Sequence, residues 1–503
     1  MNPKTRQLLI LIAVVVIAIL VIAWFSLQPS RVNVQADFHN RSGGAVIPAL
    51  YFGVGAVGST MTNAEAIRNI TTIHLYGNRL FAQVDQIYPN DPNTPIWNGA
   101  NAWIDDKLER ATRDGLSPII VLQGTPPYLG AKSCSMPSDL AAWGKLAANV
   151  AAHFEAKHPG LNYEIWNEPD AEASFCPIPP TSNTGQPAAR DKYLQLYATV
   201  APLVKAAAPT GKVGGPTLAA PGPNSDNWFP AFLSGATAPY VDFVSFHLYV
   251  TGQWDIDQGM DWNYLYNITQ SPTQGIGYYA RKVDGYVRKG SQPNAATTPI
   301  YLTEYNSNWA FKPTCCQNDP VYGPLWNAVA MDQLWNMVND GAAKLLSRLV
   351  YYAAANSADH FCLMGKTGTD CGFPGSDVPG DRFPTFAFYE LLTSPNYLNL
   401  NNGMTVLPRP TAPEGMLATE FYTATGDGVL LVNPTDKNYA AVTVKMANSG
   451  LQNMSAVQYS LERGMLLREP QRIALDSSNT VTLTAHVPAY STVALSLVQA
   501  DQP

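Results

Sequence analysis

Glu168 and Glu304 are the side chains in this sequence whose types and settings could do bond-breaking chemistry. Glu168 lies in YEIWNEPD, residues 163–170, just past the apolar-leaning segment LNYEIW. Proline cannot donate a ladder hydrogen bond, so a strand entering Pro169 must stop there. That leaves an amide, Asn167, and a carboxyl, Glu168, at the strand mouth. Glu304 lies in PIYLTEYN, residues 299–306, near the end of a second apolar segment. Two carboxyls facing each other across a sugar bond can cleave it. One, protonated, helps the leaving oxygen depart; the other, ionised, attacks the anomeric carbon or activates water. Their separation sets the outcome, about 5–5.5 Å for retention and wider for inversion. A lone glutamate at a strand end is ordinarily a rim residue or an ion-pair partner. Glu164, deeper along the same strand, reads as a buried, paired carboxylate. Glu168 differs because Trp166, Asn167 and Pro169 surround it and a second carboxyl stands on another strand.

Those two strands belong to a longer alternation. Strand-like segments at 50–54, 78–81, 117–123, 161–166, 212–215, 241–249, 299–306 and 344–354 are each followed by a helix-like segment. Repeated strand-then-helix units imply a parallel sheet. Eight of them across about 350 residues predict a (β/α)8 TIM barrel, in which chemistry sits at the C-terminal ends of the strands. Glu168 then ends the fourth strand and Glu304 the seventh. Beyond residue 400 the texture changes to short strands with turn residues between them, which predicts a β-sandwich. RVNVQADF, residues 31–38, is also strand-like and is expected to pair into it. The expected division is 45–398 for the barrel and 31–44 plus 399–503 for the sandwich.

Residues 8–25, LLILIAVVVIAILVIAWF, form an unbroken apolar run long enough to span a bilayer as a helix. Bulky residues follow where a cleaved signal would need small ones, so an uncleaved anchor is expected, with secretion after cleavage as the alternative. Lys4 and Arg6 precede the run, which orients the remaining chain outside the cytoplasm. Six cysteines suit an exported chain, and Cys362 with Cys371 is the first expected pair. No cysteine or histidine spacing suits zinc, so no metal is expected. The net charge of −7, without a long basic run, argues against nucleic acid as a partner. GVGAVG at 53–58 matches a dinucleotide-binding glycine pattern, but no acidic residue follows at the required distance.

IWNEPD resembles the strand-four signature of clan A glycoside hydrolases, and YLTEYN resembles the strand-seven segment of the same clan. SFHLY (245–249) resembles the strand-six segment, mapping to His247 and Tyr249, and NRLF resembles the strand-two segment with Arg79. KVGGP (212–216), the opening DFHNRSGGAVIPALYFGVGA and the closing VPAYSTVALSL are most similar to family 39. The resemblance implies a retaining glycosidase with Glu304 as nucleophile and Glu168 as acid/base. Asn167 would bond the sugar 2-hydroxyl, with His247, Tyr249 and Arg79 as further binding residues. It also implies that Arg79 and Tyr249 keep Glu304 ionised, while the charge on Glu304 raises the pKa of Glu168. No cofactor is implied, and the partner is a carbohydrate. Clan members commonly carry a tryptophan at the end of strand eight; none stands between 345 and 365 here, and Phe361 or Trp309 is the candidate substitute. A non-catalytic glycan-binding protein and a transglycosylase are the competing readings. Sugar identity, linkage and oligomeric state stay open.

Overall fold

The computed structural model describes residues 31–499 except for internal segments, the longest being 56–68, 177–184, 311–318 and most of 354–381. Eight parallel strands close into a barrel: β1 (Phe52–Gly55), β2 (Gly77–Gln83), β3 (Ile119–Gln123), β4 (Asn162–Ile165), β5 (Lys212–Leu218), β6 (Phe243–Thr251), β7 (Ile300–Asn308) and β8 (Leu346–Tyr351). Closure is made by β8 on β1, with Leu349 paired to Phe52 and Tyr351 to Val54. All eight expected strands are present. The strands are covered outside by helices and filled inside by side chains, so they are buried on both faces. Every residue of β7 is buried, as is nearly all of β6.

The surrounding helices form where an apolar stripe can meet the sheet. In Leu140–Lys157, Trp143, Leu146, Ala147, Val150 and Phe154 are buried at helical spacing. The Asp139 side chain caps this helix by accepting from the Ala142 N–H, and Lys157 sits in the last turn, where a cation suits the helix dipole. Ile276–Lys289 repeats the pattern with Ile276, Ala280, Val283 and Val287 inward and Arg288 and Lys289 at its end.

The C-terminal unit has two sheets. One has four strands, Arg31–Asp37, Tyr439–Ala447, Thr480–Val487 and Ala474–Leu475; the expected N-terminal strand pairs parallel to Tyr439–Ala447. The other has seven, running from Met465–Gln471 through Gly426–Asn433 and Met404–Val406 to Ala45–Ile47. Ala45–Ile47 adds to its far edge beside Met404–Val406, so the sandwich takes in residues past the expected boundary at 44. At its centre the seven-stranded sheet is buried on both sides. In Gly426–Asn433, Val429 and Leu431 join the sandwich core, whereas Leu430 and Val432 join the barrel core. Successive strand side chains point to opposite faces, so the unbroken run VLLV is the local signature of a sheet covered twice. Trp262 donates from Nε1 to the Pro434 carbonyl at 2.8 Å, and Thr419 donates to Asp332 at 2.7 Å, fastening sandwich to barrel.

The expected anchor at 8–25 lies outside the described residues, as does the expected Cys362–Cys371 pair. Among the described residues no helix is long and apolar enough to cross a membrane. Among the described residues a disulfide joins Cys134 to Cys176, tying the loop after β3 to the loop after β4 with Cα atoms 5.2 Å apart.

Candidate active site

The C-terminal ends of β2, β4, β6 and β7 bring six of the seven sequence-derived site residues into one largely buried network, with Glu168 and Tyr249 partly exposed. Arg79, on β2, is fully buried and divides its guanidinium three ways. Nε donates to Glu164 at 2.6 Å, Nη1 to Glu304 at 2.5 Å and Nη2 to Asn167 at 2.6 Å. The forked, planar group can hold three acceptors in fixed directions, which a lysine cannot. Glu164 is buried and paired, as its position deeper on the strand predicts.

Tyr249 donates to the other oxygen of Glu304 at 2.7 Å. His247 Nδ1 lies 2.8 Å from Glu168 Oε1 and 3.5 Å from Glu304 Oε2. This follows from register: His247 pairs with Glu304 across the β6–β7 ladder. His247 Nε2 is buried with no hydrogen-bond partner. A proton on Nε2 would be a buried, unsatisfied donor, so the network favours the tautomer with its proton on Nδ1. Burial lowers the His247 pKa to about 4, so the ring is neutral across the ordinary pH range. One oxygen of Glu168, one of Glu304 and a ring nitrogen of His247 lie within 4.8 Å of one another. Such a trio has the donor types of a cation site, but Arg79 and Tyr249 already engage both oxygens of Glu304.

The pKa of Glu168 is raised. Burial is the dominant cause, opposed by the charge of Arg79 and by a hydrogen bond from Ser174. The direction is the expected one, and burial rather than the charge on Glu304 is its main cause.

Backbone geometry aims Glu168. Strand β4 ends at Ile165, and both Trp166 (φ 69°) and Glu168 (φ 45°) take left-handed conformations. Non-glycine residues adopt this region at a cost of about 1–3 kcal/mol each, and such outliers cluster at functional sites. Neighbouring strands over-determine the turn. Trp166 N–H donates to Leu122 O at 2.8 Å, Glu168 N–H to Thr217 O at 3.0 Å, and the Thr217 hydroxyl to Trp166 O at 3.2 Å. Thr217 itself has φ 52°. The turn breaks strand alternation, so Trp166 does not share a face with Glu164 and Glu168 as extended geometry would require. It packs instead between Trp143 and Phe175, with centroids 5.4 and 5.5 Å away. Its indole N–H donates to Ser174 O at 2.8 Å, so the same loop that the disulfide pins also presents Ser174 to Glu168.

Trp309 stands apart from this network. It follows the last residue of β7 and is 50% exposed, its ring lying over Gly252, where an added Cβ would fall 2.2 Å from Nε1. Phe361 lies outside the described residues. The aromatic ring the sequence reading missed is Tyr352, at the end of β8. It is half-buried, edge-on to Tyr249 with centroids 6.5 Å apart, and its carbonyl accepts from Asn306 Nδ2 at 2.8 Å. The strand-end rule that found Glu168 and Glu304 also points to Tyr352, since YY closes β8.

Residues 114–401 match the profile of the glycosyl hydrolases family 39. A β-xylosidase of Geobacillus stearothermophilus is 27% identical over 183 residues, 35% of this chain, and the match spans 32% of that relative's length. Among solved structures, the GH39 enzyme from Xanthomonas axonopodis pv. citri matches with a TM-score of 0.65 and 16% identity, over 94% of this chain and 99% of its own. A monomeric β-xylosidase from Caulobacter crescentus CB15 gives 0.61 at 15% identity, over 93% and 100%. At such identities the solved structures speak for the shared fold alone. The family match covers more than half of the sequence, and the chain belongs to glycosyl hydrolase family 39.

Proposed function

We propose that this protein is a retaining glycosidase acting by double displacement. The carrying observation is the close approach of the Glu168 and Glu304 carboxylates, with oxygens within 4.8 Å across His247. That spacing supports retention rather than the wider gap that inversion needs for a water. Glu304, held by Arg79 and Tyr249, attacks the anomeric carbon as the bond from that carbon to the leaving oxygen breaks. Glu168 gives its proton to the leaving oxygen; burial, which raises its pKa, keeps that proton available. In the second step water attacks the same carbon, its proton passes to Glu168, and the Glu304 carboxylate is released. Asn167, fixed through its carbonyl by Arg79, keeps its NH2 group for the sugar 2-hydroxyl. The β-xylosidase names of two relatives make β-xylosides the first substrates to test.

The test is a panel of aryl glycosides, with the anomer of the first-formed product followed by NMR. A product that appears first with the substrate's own configuration supports the reading; initial formation of the opposite anomer rejects it. Added acceptor sugars in the same assay separate hydrolysis from transglycosylation.

The apolar segment 8–25 supports an envelope protein tethered with its catalytic unit outside the cytoplasm. The Cys134–Cys176 disulfide fits an oxidising compartment. Cell fractionation checks this: recovery in the soluble cytosol would reject it.

A further inference from the structure

Among the described residues, the most exposed tryptophan and tyrosine side chains are Trp254, Trp309, Tyr128 and Tyr264. All four lie on segments that leave the C-terminal ends of barrel strands, Tyr128 after β3, Trp254 and Tyr264 after β6, and Trp309 after β7. None lies on the opposite face or on the sandwich. Water-exposed indoles are unfavourable unless something covers them, so their confinement to the catalytic face marks a binding surface.

The backbone that carries the two tryptophans, 66% and 50% exposed, is held in place. Trp309 N–H donates to Thr251 O at 3.3 Å, and Asn308 Nδ2 donates to Thr251 Oγ1 at 2.8 Å. Gly252 leaves the space in which the Trp309 ring rests. On the β6 side, one carboxylate organises the loop: Asp255 accepts from Gly252 N–H at 2.7 Å and from the Tyr264 hydroxyl at 2.5 Å. Trp254 is carried on that braced turn. Rings fixed before binding lose little entropy when a ligand stacks on them.

The β6–β7 ladder links this rim to the carboxylates. His247 pairs with Glu304, and farther along the same ladder Thr251 pairs with Asn308. At a rise of about 3.3 Å per residue, the rim is roughly 13 Å beyond the carboxylates along the strands. A single sugar at the cleavage point does not reach it; a chain of several rings does. The polarised C–H bonds on one face of a pyranose meet the negative face of an aromatic ring. Charge selects among such chains. Together, residues 252–280 and 309–321 carry Asp255, Asp257, Asp261 and Asp319 against Lys312, an acidic balance that disfavours uronate polymers.

We infer that the β6 and β7 loops, through Trp254 and Trp309, form a platform seating the outer rings of an uncharged glycan chain, so that the substrate is an oligo- or polysaccharide. The inference rests on the glycosidase function proposed above.

The test uses the full chain and three proteins: wild type, Trp254→Ala and Trp309→Ala. Substrates are neutral β-linked xylo- and gluco-oligosaccharides from disaccharide to hexasaccharide, with the matching para-nitrophenyl glycosides. The expected result is a wild-type kcat/KM that rises at least tenfold with chain length. In each variant that rise shrinks at least fivefold, through KM rather than kcat. A length dependence that is flat in wild type, or intact in both variants, overturns the platform while leaving the glycosidase function standing. A wild type inert on the whole series overturns both. If sedimentation finds a wild-type dimer that Trp254→Ala converts to monomer with the length dependence intact, the rings serve self-association and the platform is rejected.

Discussion

His247 stands between the two carboxylates, with its Nδ1 2.8 Å from Glu168 and 3.5 Å from Glu304. Because the ring is neutral, it offers one N–H to two acidic groups. It can follow the proton on Glu168 without adding a charge of its own. In the proposed mechanism, when Glu168 gives up its proton, the His247 N–H remains to stabilise the new carboxylate.

The two glutamates should fail differently. Glu168→Gln removes the proposed proton donor, so it should retain activity on aryl glycosides with very good leaving groups, and added azide should rescue the second step as a glycosyl azide. Glu304→Gln removes the nucleophile and should be inactive on every substrate. Equal, unrescued loss in both variants would count against the assigned roles.

Arg79→Lys keeps the charge but loses the fork that holds Glu164, Glu304 and Asn167 at once. Small displacements of reacting groups cost on the order of 100-fold in rate, and that is the expected fall in kcat/KM. A variant within threefold of wild type would mean the charge alone suffices.

The pH profile should report the raised pKa of Glu168. In the proposed mechanism its protonated form is the active one, so kcat/KM should fall as pH rises through that pKa, with the basic limb shifted up from the ordinary carboxyl value. Ser174→Ala removes a hydrogen bond that favours the ionised form, so the basic limb should move further up. A limb shifted downward in Ser174→Ala would contradict the contact.

Loss of the Cys134–Cys176 disulfide frees a loop with a sequence separation of 42 residues. The chain-entropy account assigns such a crosslink about 4 kcal/mol. Paired serine substitutions should therefore lower Tm. They should also lower kcat/KM, because the loop that carries Ser174 toward Glu168 loses its tether. An unchanged Tm, measured by calorimetry against wild type, would mean the crosslink adds nothing.

Glu420, buried between the two sandwich sheets, has its pKa raised to about 7, chiefly by burial, and its Oε1 has no partner. The folded value lies above the unfolded one, so the fold favours the protonated form. That contribution is complete below the unfolded pKa and is lost as pH rises through the folded value. Glu420→Gln keeps an acceptor for the Asp37 N–H and removes the charge. Its Tm should exceed wild type at about pH 8 and match it at about pH 4, the unfolded carboxyl range. A variant less stable at the higher pH would show that the charge has a partner in solution.

The sequence alone determined the eight barrel strands, the β-rich C-terminal unit and the two glutamates at strand ends. These are local properties: an apolar run of strand length, a proline that stops it, and a carboxyl left at the mouth. Tertiary structure decided what those glutamates are bonded to. Arg79 reaches Glu304 across 225 positions of sequence and Asn167 across 88; the family resemblance points to the Glu304 pairing, but nothing in the neighbourhood of NRLF encodes that the same fork also meets Asn167 and Glu164. The turn that aims Glu168 was equally invisible, because left-handed backbone at Trp166 and Glu168 is imposed by hydrogen bonds from β3 and β5 against the local preference of both residues. The Cys134–Cys176 pairing, the Tyr352 ring beside Tyr249 and the double burial of the seven-stranded sheet have the same origin. Periodicity fixes which residues lie on a strand and how they alternate. Only closure of the barrel and docking of the sandwich fix which side chains, distant along the chain, come within hydrogen-bonding reach.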